Sequence, residues 1–190
     1  MSSSDPMAFS LNDYQAQAKA TVMYPEPIPG VPVYPLIGFA GEVGELLEAL
    51  ERKEASLDAV HKEAGDVLWY LAAIATDTGL KLGDLYSDFA NVRFTVRALR
   101  DHFLWSPQTA LSIFVGRVAE DVKKSIRDNG SVVDEQRKLR IRTCLGDTIL
   151  ALDALLEDNL TSLGVAAQVN MAKIAARKAA GTIQGSGDSR

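Results

Sequence analysis

Two short pairs of carboxylates carry the chemistry that this sequence can do: Glu42-Val43-Gly44-Glu45 and Glu63-Ala64-Gly65-Asp66. Residues three apart project from neighbouring positions on one side of a helix, so each pair makes an acidic patch. Apolar residues crowd both patches: Leu36, Ile37, Phe39, Val43, Leu46, Leu47 and Leu50 around the first, Val60, Val67, Leu68, Trp69 and Leu71 around the second. Carboxylates set in such sequence are expected to lie partly under cover. Four brought together there repel one another and lose hydration, so some must take up protons or the group must hold cations. Magnesium is the natural counter-ion for an all-oxygen cluster, and its shell is commonly completed by water and phosphate oxygens. That points toward phosphate chemistry. Read separately, each pair could also be a solvated helix face.

These acids must be held by helices. Residues 36–53 and 57–78 are expected to form two helices, the second capped by Ser56 and ending before Gly79, and the short connector makes them antiparallel neighbours with facing acids. A preceding helix is expected over residues 8–23, capped by Ser10 or Asn12, with Leu11, Tyr14, Ala18 and Val22 along one stripe. Tyr14 and Gln15 on it can contact a ligand or pack, and packing is the simpler use of Tyr14 alone. Residues 24–35 hold five of the seven prolines and are expected to form a non-helical loop that carries Tyr24 and Tyr34 beside the first acidic pair. Those tyrosines could stack on a base, or the loop could be a stiff connector. A fourth helix, residues 83–103, closes a first unit around Leu85, Phe89, Val92, Val96, Leu99 and Phe103.

The second half reads as a worn copy of the first. Gly116-Arg117-Val118-Ala119-Glu120 lines up with Gly44-Glu45-Leu46-Leu47-Glu48, and Leu145-Gly146-Asp147 with Ala64-Gly65-Asp66. On this register Glu42, Glu45 and Glu63 correspond to Phe114, Arg117 and Cys144, while Asp66 keeps its carboxylate as Asp147. Cys144 then reads as core filler, since no histidine lies near it in sequence to activate it. Residues 123–130 form a basic helix end. Asn170, Lys173 and Arg177 share one side of a final helix, where they form a solvated basic face or grip phosphates and sugar. The expected architecture is all-α: a helical bundle of two fused four-helix-type repeats, residues 1–105 and 106–190, in one compact unit.

At 190 residues with 47% hydrophobic content the chain can bury a substantial core, and its net charge of −5 argues against a dedicated nucleic-acid binder. One cysteine excludes an intrachain disulfide and a multi-cysteine zinc site. The polar start lacks a signal-peptide pattern, and no apolar run is long enough for a membrane span, so a soluble cytoplasmic protein is expected.

The pattern Leu11-x-x-Tyr14-Gln15, Gly41-Glu42-x-Gly44-Glu45-x-x-Glu48, and Glu63-x-Gly65-Asp66-Val67-Leu68-Trp69-Tyr70, resembles the MazG-like nucleoside triphosphate pyrophosphohydrolases of the all-α superfamily. The ending Asn170-x-x-Lys173-x-x-x-Arg177-Lys178-x-x-Gly181-x-Ile183 is similar to theirs as well. The resemblance implies that Glu42, Glu45, Glu63 and Asp66 bind two to three magnesium or manganese ions. It implies further that Asn170 and Lys173 contact sugar and phosphates, with Arg177, Tyr14 and Gln15 as further substrate-binding candidates. The implied reaction is hydrolysis of a (d)NTP to a (d)NMP and pyrophosphate, by attack of water at the α-phosphorus, with Glu45 or Glu48 taking the proton. A homodimer is the expected assembly. One departure stands out: the acids lie only in the first copy and the Asn-x-x-Lys tail only in the second, which predicts one composite site.

Other readings are a deoxyuridine or deoxycytidine triphosphatase of the same superfamily, using the same acids, and a non-catalytic helical nucleotide-binding or interaction module. A di-iron bundle needs Glu-x-x-His pairs, and neither His61 nor His102 follows a Glu by three.

Overall fold

The structure is a computed structural model that describes residues 10–25, 28–52, 56–90 and 105–181, with the side chains of 88–90 excepted. Seven helices occupy these residues: α1 (Leu11–Lys19), α2 (Val33–Glu51), α3 (Leu57–Asp77), α4 (Leu82–Ala90), α5 (Pro107–Asp128), α6 (Glu135–Asp158) and α7 (Leu163–Ala180). No strand occurs among the described residues. The fold is all-α, as the sequence predicts. No helix among them is long and apolar enough to cross a membrane.

Local chemistry sets most of the boundaries. Ser10, Ser56, Ser106, Asp134 and Ser162 each accept from the backbone N–H three residues on, satisfying an otherwise orphaned donor of α1, α3, α5, α6 and α7 respectively. Gly79 beyond α3 and Gly181 beyond α7 adopt positive φ, 67° and 69°. Two expectations are corrected. The first helix is shorter than residues 8–23, ending at Lys19, and Ser10 is its cap. The second begins at Val33, inside the stretch expected to be loop, because Pro35 falls in the first turn, where a missing N–H costs nothing. Tyr34 is therefore a helical residue. For the expected helix 83–103, residues 82–90 are helical and 91–103 lie outside the described residues, with Val92, Val96, Leu99 and Phe103.

Contacts give the directions of the packed helices. Gly38 lies against Tyr70 while Glu42 and Glu45 lie against Glu63, so α2 and α3 run antiparallel. His61 bonds Thr161 just ahead of α7, Gly65 abuts Ala166 and Asn170, and Asp66 bonds Asn170 and Lys173, so α3 and α7 run parallel. Helix α3 also packs on α1, α4 and α6, which makes it the central element. One hydrophobic cluster holds Phe39, Leu46, Leu68, Leu71 and Ile74 from the first half with Leu111, Ile141, Leu145 and Ile149 from the second. Full burial of each large side chain stabilises the fold by about 1.5–3 kcal/mol.

Candidate functional site: an acidic cluster met by a helix from the second half

Glu42 and Glu45 stand on α2 and Glu63 on α3, each offering an oxygen, and these oxygens all lie within 4.8 Å of one another. Asp66, one turn beyond Glu63, is held differently. Its Oδ1 accepts from Asn170 Nδ2 at 2.7 Å, and its Oδ2 is paired with the Lys173 ammonium. Asp66 is nonetheless close enough to Glu42 to be the largest charge acting on it. Burial first, then Asp66, Glu45 and Glu63, push the Glu42 carboxyl up to about 8, with Lys173 pulling the other way. The four acids thus form one patch in which three converge and the fourth is gripped by α7.

Gly65 makes that grip possible. A Cβ there would come within 2.8 Å of both the Ala166 carbonyl oxygen and Asn170 Cβ, so only a glycine lets α7 approach α3 at this point. Asn170 is 1% exposed. Behind it, the Tyr14 hydroxyl donates to Asn170 Oδ1 at 3.0 Å and to the Gly65 carbonyl at 3.4 Å. The Tyr14 donor fixes which way the Asn170 amide faces, leaving its NH2 for Asp66. Burial, with Asp66 second, holds the Tyr14 phenol well above its ordinary value, so it remains a donor.

The predicted site residues therefore fall into two groups. Glu42, Glu45, Glu63, Asp66, Asn170, Lys173 and Tyr14 are brought together, Tyr14 as buried support. Arg177 lies one turn beyond Lys173 on α7, half-buried. Gln15 is committed elsewhere: its amide donates to Thr76 Oγ1 and the Leu80 carbonyl and accepts from Leu82 N–H, which ties α1 to the start of α4. Thr76 stands ten residues, roughly 15 Å, along α3 from Asp66. Glu48 is exposed on α2, one turn beyond Glu45.

Tyr70 belongs to the site and is not among the sequence candidates. Its phenol is pushed up to about 12 by burial, then by the neighbouring Tyr34, Glu42 and Asp66. The signal for it is Gly38, whose missing side chain leaves room for the Tyr70 ring, 2.1 Å from where a Cβ would sit. Tyr24 stacks on Tyr34 at 4.5 Å, and Trp69 meets both Tyr24 and Tyr70 edge-on.

On α5 and α6, Arg117 lies over the rings of Phe114 and Trp105. Asp147 is raised by burial and lowered by Arg117, and burial lifts the Cys144 thiol to about 11. Phe114, Arg117, Cys144 and Asp147 thus form a cluster on two antiparallel helices.

Three carboxylates whose oxygens converge, one of them kept from ionising easily, make a donor set that could hold a cation. The chain is 35% identical over 75 residues to the Gene 37 protein of Mycobacterium phage L5, an alignment covering 40% of this chain. The chain spans 66% of the length of that relative. No solved structure matches it significantly. Residues 36–91, which contain all four acids, most of α2 and all of α3 and α4, match the model of the MazG nucleotide pyrophosphohydrolase domain family.

Proposed function

We propose that the protein is a metal-dependent nucleoside triphosphate pyrophosphohydrolase that converts a (d)NTP to a (d)NMP and pyrophosphate. The observation that carries this reading is the convergence of Glu42, Glu45 and Glu63 within 4.8 Å, beside an Asp66 already matched by the cation of Lys173. An oxygen-only donor set of this charge fits magnesium or manganese. Two or three such ions would neutralise the phosphate chain and supply a nucleophilic water. Around that chemistry the chain's own groups position and neutralise, which is where most of the acceleration of phosphoryl transfer arises. Lys173 and Arg177 suit the phosphates, Asn170 the sugar, and Glu45 or Glu48 can accept the proton of the attacking water. Asp66 would add a fourth carboxylate to the set that holds the ions if Lys173 turned from it to substrate.

We also read the site as composite, built by a duplicated chain whose second copy keeps only Asp147 of the four acids and has lost the metal cluster. The Phe114, Arg117, Cys144 and Asp147 cluster supports that register, as does the crossing of α7 to Asp66. The division is residues 1–105 and 106–190.

The test is a product assay with magnesium or manganese across the four common dNTPs, dUTP and the ribonucleotides, resolving pyrophosphate from orthophosphate, beside a Glu42→Gln, Asp66→Asn control. Pyrophosphate release that the control abolishes is the expected result and ranks the bases. Absence of turnover together with absence of metal binding overturns the reading in favour of a helical binding module.

A further inference from the structure

Next to the acids α2 presents an apolar stripe that catalysis at phosphorus does not require. Tyr34, Ile37, Gly41 and Glu45 follow one another at spacings of three, four and four, so they line one side of the helix. Tyr34 is 46% exposed and Ile37 68%, although both stand in the first turns of a helix whose other face is core. At Gly41 nothing lies within 4 Å of where a Cβ would be, so that turn of the helix is open. The stripe ends at Glu45 of the converging carboxylates.

Tyr34 is held for contact on one side. Tyr24 stacks on it with rings 17° from parallel, and Trp69, anchored by its indole N–H to Thr21 Oγ1 at 3.0 Å, buttresses Tyr24 edge-on. Its neighbour Tyr70 leans on Gly38 and feels the charge of Glu42. An exposed ring held by stacking on one face offers its other side at little further entropic cost on binding. Aromatic faces of this kind bind bases irrespective of sequence, because every base has a π-face.

We infer that Tyr34 and Ile37 form the subsite for the nucleobase of a nucleoside triphosphate whose phosphates lie at Glu42, Glu45 and Glu63, with the sugar passing over Gly41. The inference rests on the nucleotide reading above and adds to it the residues that distinguish a nucleotide from bare polyphosphate. Ile37 covers the outer edge of the base, and the open turn at Gly41 admits the ribose without a side chain in the way. Stacking supplies affinity without selecting a base, so discrimination among bases must come from groups at the base edge.

The test is equilibrium binding, in the presence of manganese, of two ligands that resist or lack the reaction: an α,β-imido deoxynucleoside triphosphate and inorganic tripolyphosphate. The full chain is expected to bind the nucleotide more tightly than tripolyphosphate. Tyr34→Ala should cost about tenfold in nucleotide affinity, within the range found for base stacking, and leave tripolyphosphate affinity unchanged. Tyr34→Phe should keep the nucleotide affinity, and Ile37→Asp should lower it. Unchanged nucleotide affinity in Tyr34→Ala overturns the subsite while leaving the pyrophosphohydrolase reading intact, and so does an equal loss for both ligands. A self-association that Tyr34→Ala removes, with nucleotide affinity unaltered, assigns the stripe to a second copy of the chain instead. Failure of the unmodified chain to bind either ligand removes the nucleotide reading and the subsite together.

Discussion

Asp66 on α3 and Lys173 on α7 form an ion pair across 107 residues of sequence, with side chains only 19% and 11% exposed. Asn170 donates to the other carboxylate oxygen of Asp66. A pair this far from water is expensive to break one-sidedly, since the remaining charge loses its counter-charge and gains little solvent. Lys173→Met should therefore destabilise the chelator-treated protein by about 3 kcal/mol in urea unfolding. Adding Asp66→Asn to that variant should restore part of the loss, and a double-mutant cycle on these variants measures the coupling. Additive losses would mean that the pair contributes nothing beyond its separate side chains.

Tyr14 should act on the site through Asn170 alone. Tyr14→Phe removes one donor from the Asn170 side-chain carbonyl and from the Gly65 carbonyl while keeping the ring in the core. Leaving buried acceptors short of a donor costs about 1–3 kcal/mol. If Tyr14 orients the amide, the variant should lose nucleotide affinity, and Tyr14→Phe in an Asn170→Ala background should lose no more. A loss of stability with affinity unchanged would make Tyr14 a packing residue only.

Gly65→Ala probes the approach of α7 to the acids. The added methyl meets a backbone carbonyl and an Asn170 Cβ at 2.8 Å, neither of which is the far end of a flexible side chain. Overpacking of this kind costs about 1–3 kcal/mol. Because the helices can relieve it only by separating, Asp66 should also lose Asn170 and Lys173. Pyrophosphate release should then fall further than in Gly116→Ala, where the new methyl meets open space. Equal activity of the two variants would show that the close approach is not needed.

The acids were legible in sequence because their cause is local: three-residue spacing within helices that apolar periodicity and a capping Ser56 define. The same holds for the ending of α3 before Gly79, which takes the left-handed conformation. What was not legible depends on long-range contact. That Asp66 is gripped by Asn170 and Lys173 follows from how α3 and α7 pack at Gly65, and no property of residue 66 announces residue 170. Gln15 was grouped with the site by its neighbour Tyr14, yet residues adjacent on a helix point about 100° apart, and its amide serves the start of α4. The prolines around Tyr34 suggest a loop. A proline in the first turn is compatible with the helix, so the loop ends three residues sooner than the sequence suggests.

Cys144 should be inert. Burial and the nearby Asp147 carboxylate push its thiol up to about 11, so at pH 8 only about a thousandth of it is thiolate, the form that reacts. It is also 7% exposed. In the native protein a thiol reagent such as 5,5′-dithiobis(2-nitrobenzoate) should label it slowly, and labelling should become fast in denaturant. Fast labelling of the folded chain would contradict its place in the core.

Glu42 makes stability depend on pH in a direction that a cation should reverse. Its carboxyl lies at about 8 in the folded chain against an ordinary 4.5, so between these values the folded state binds more protons than the unfolded one. The stability linked to this proton is complete below about 4.5 and is lost as pH rises through about 8. After chelation, the protein should therefore melt at progressively lower temperature from pH 6 to pH 8.5. A divalent ion at Glu42, Glu45 and Glu63 replaces that proton as the source of positive charge, and its binding releases the proton. Manganese or magnesium should accordingly raise the melting temperature more at pH 8.5 than at pH 6, with protons released on titration below pH 8. In Glu42→Gln both the pH slope of the chelated protein and the pH dependence of the metal's effect should flatten. If they persist in that variant, the proton resides on another acid and Glu42 is not the group that the cation displaces it from.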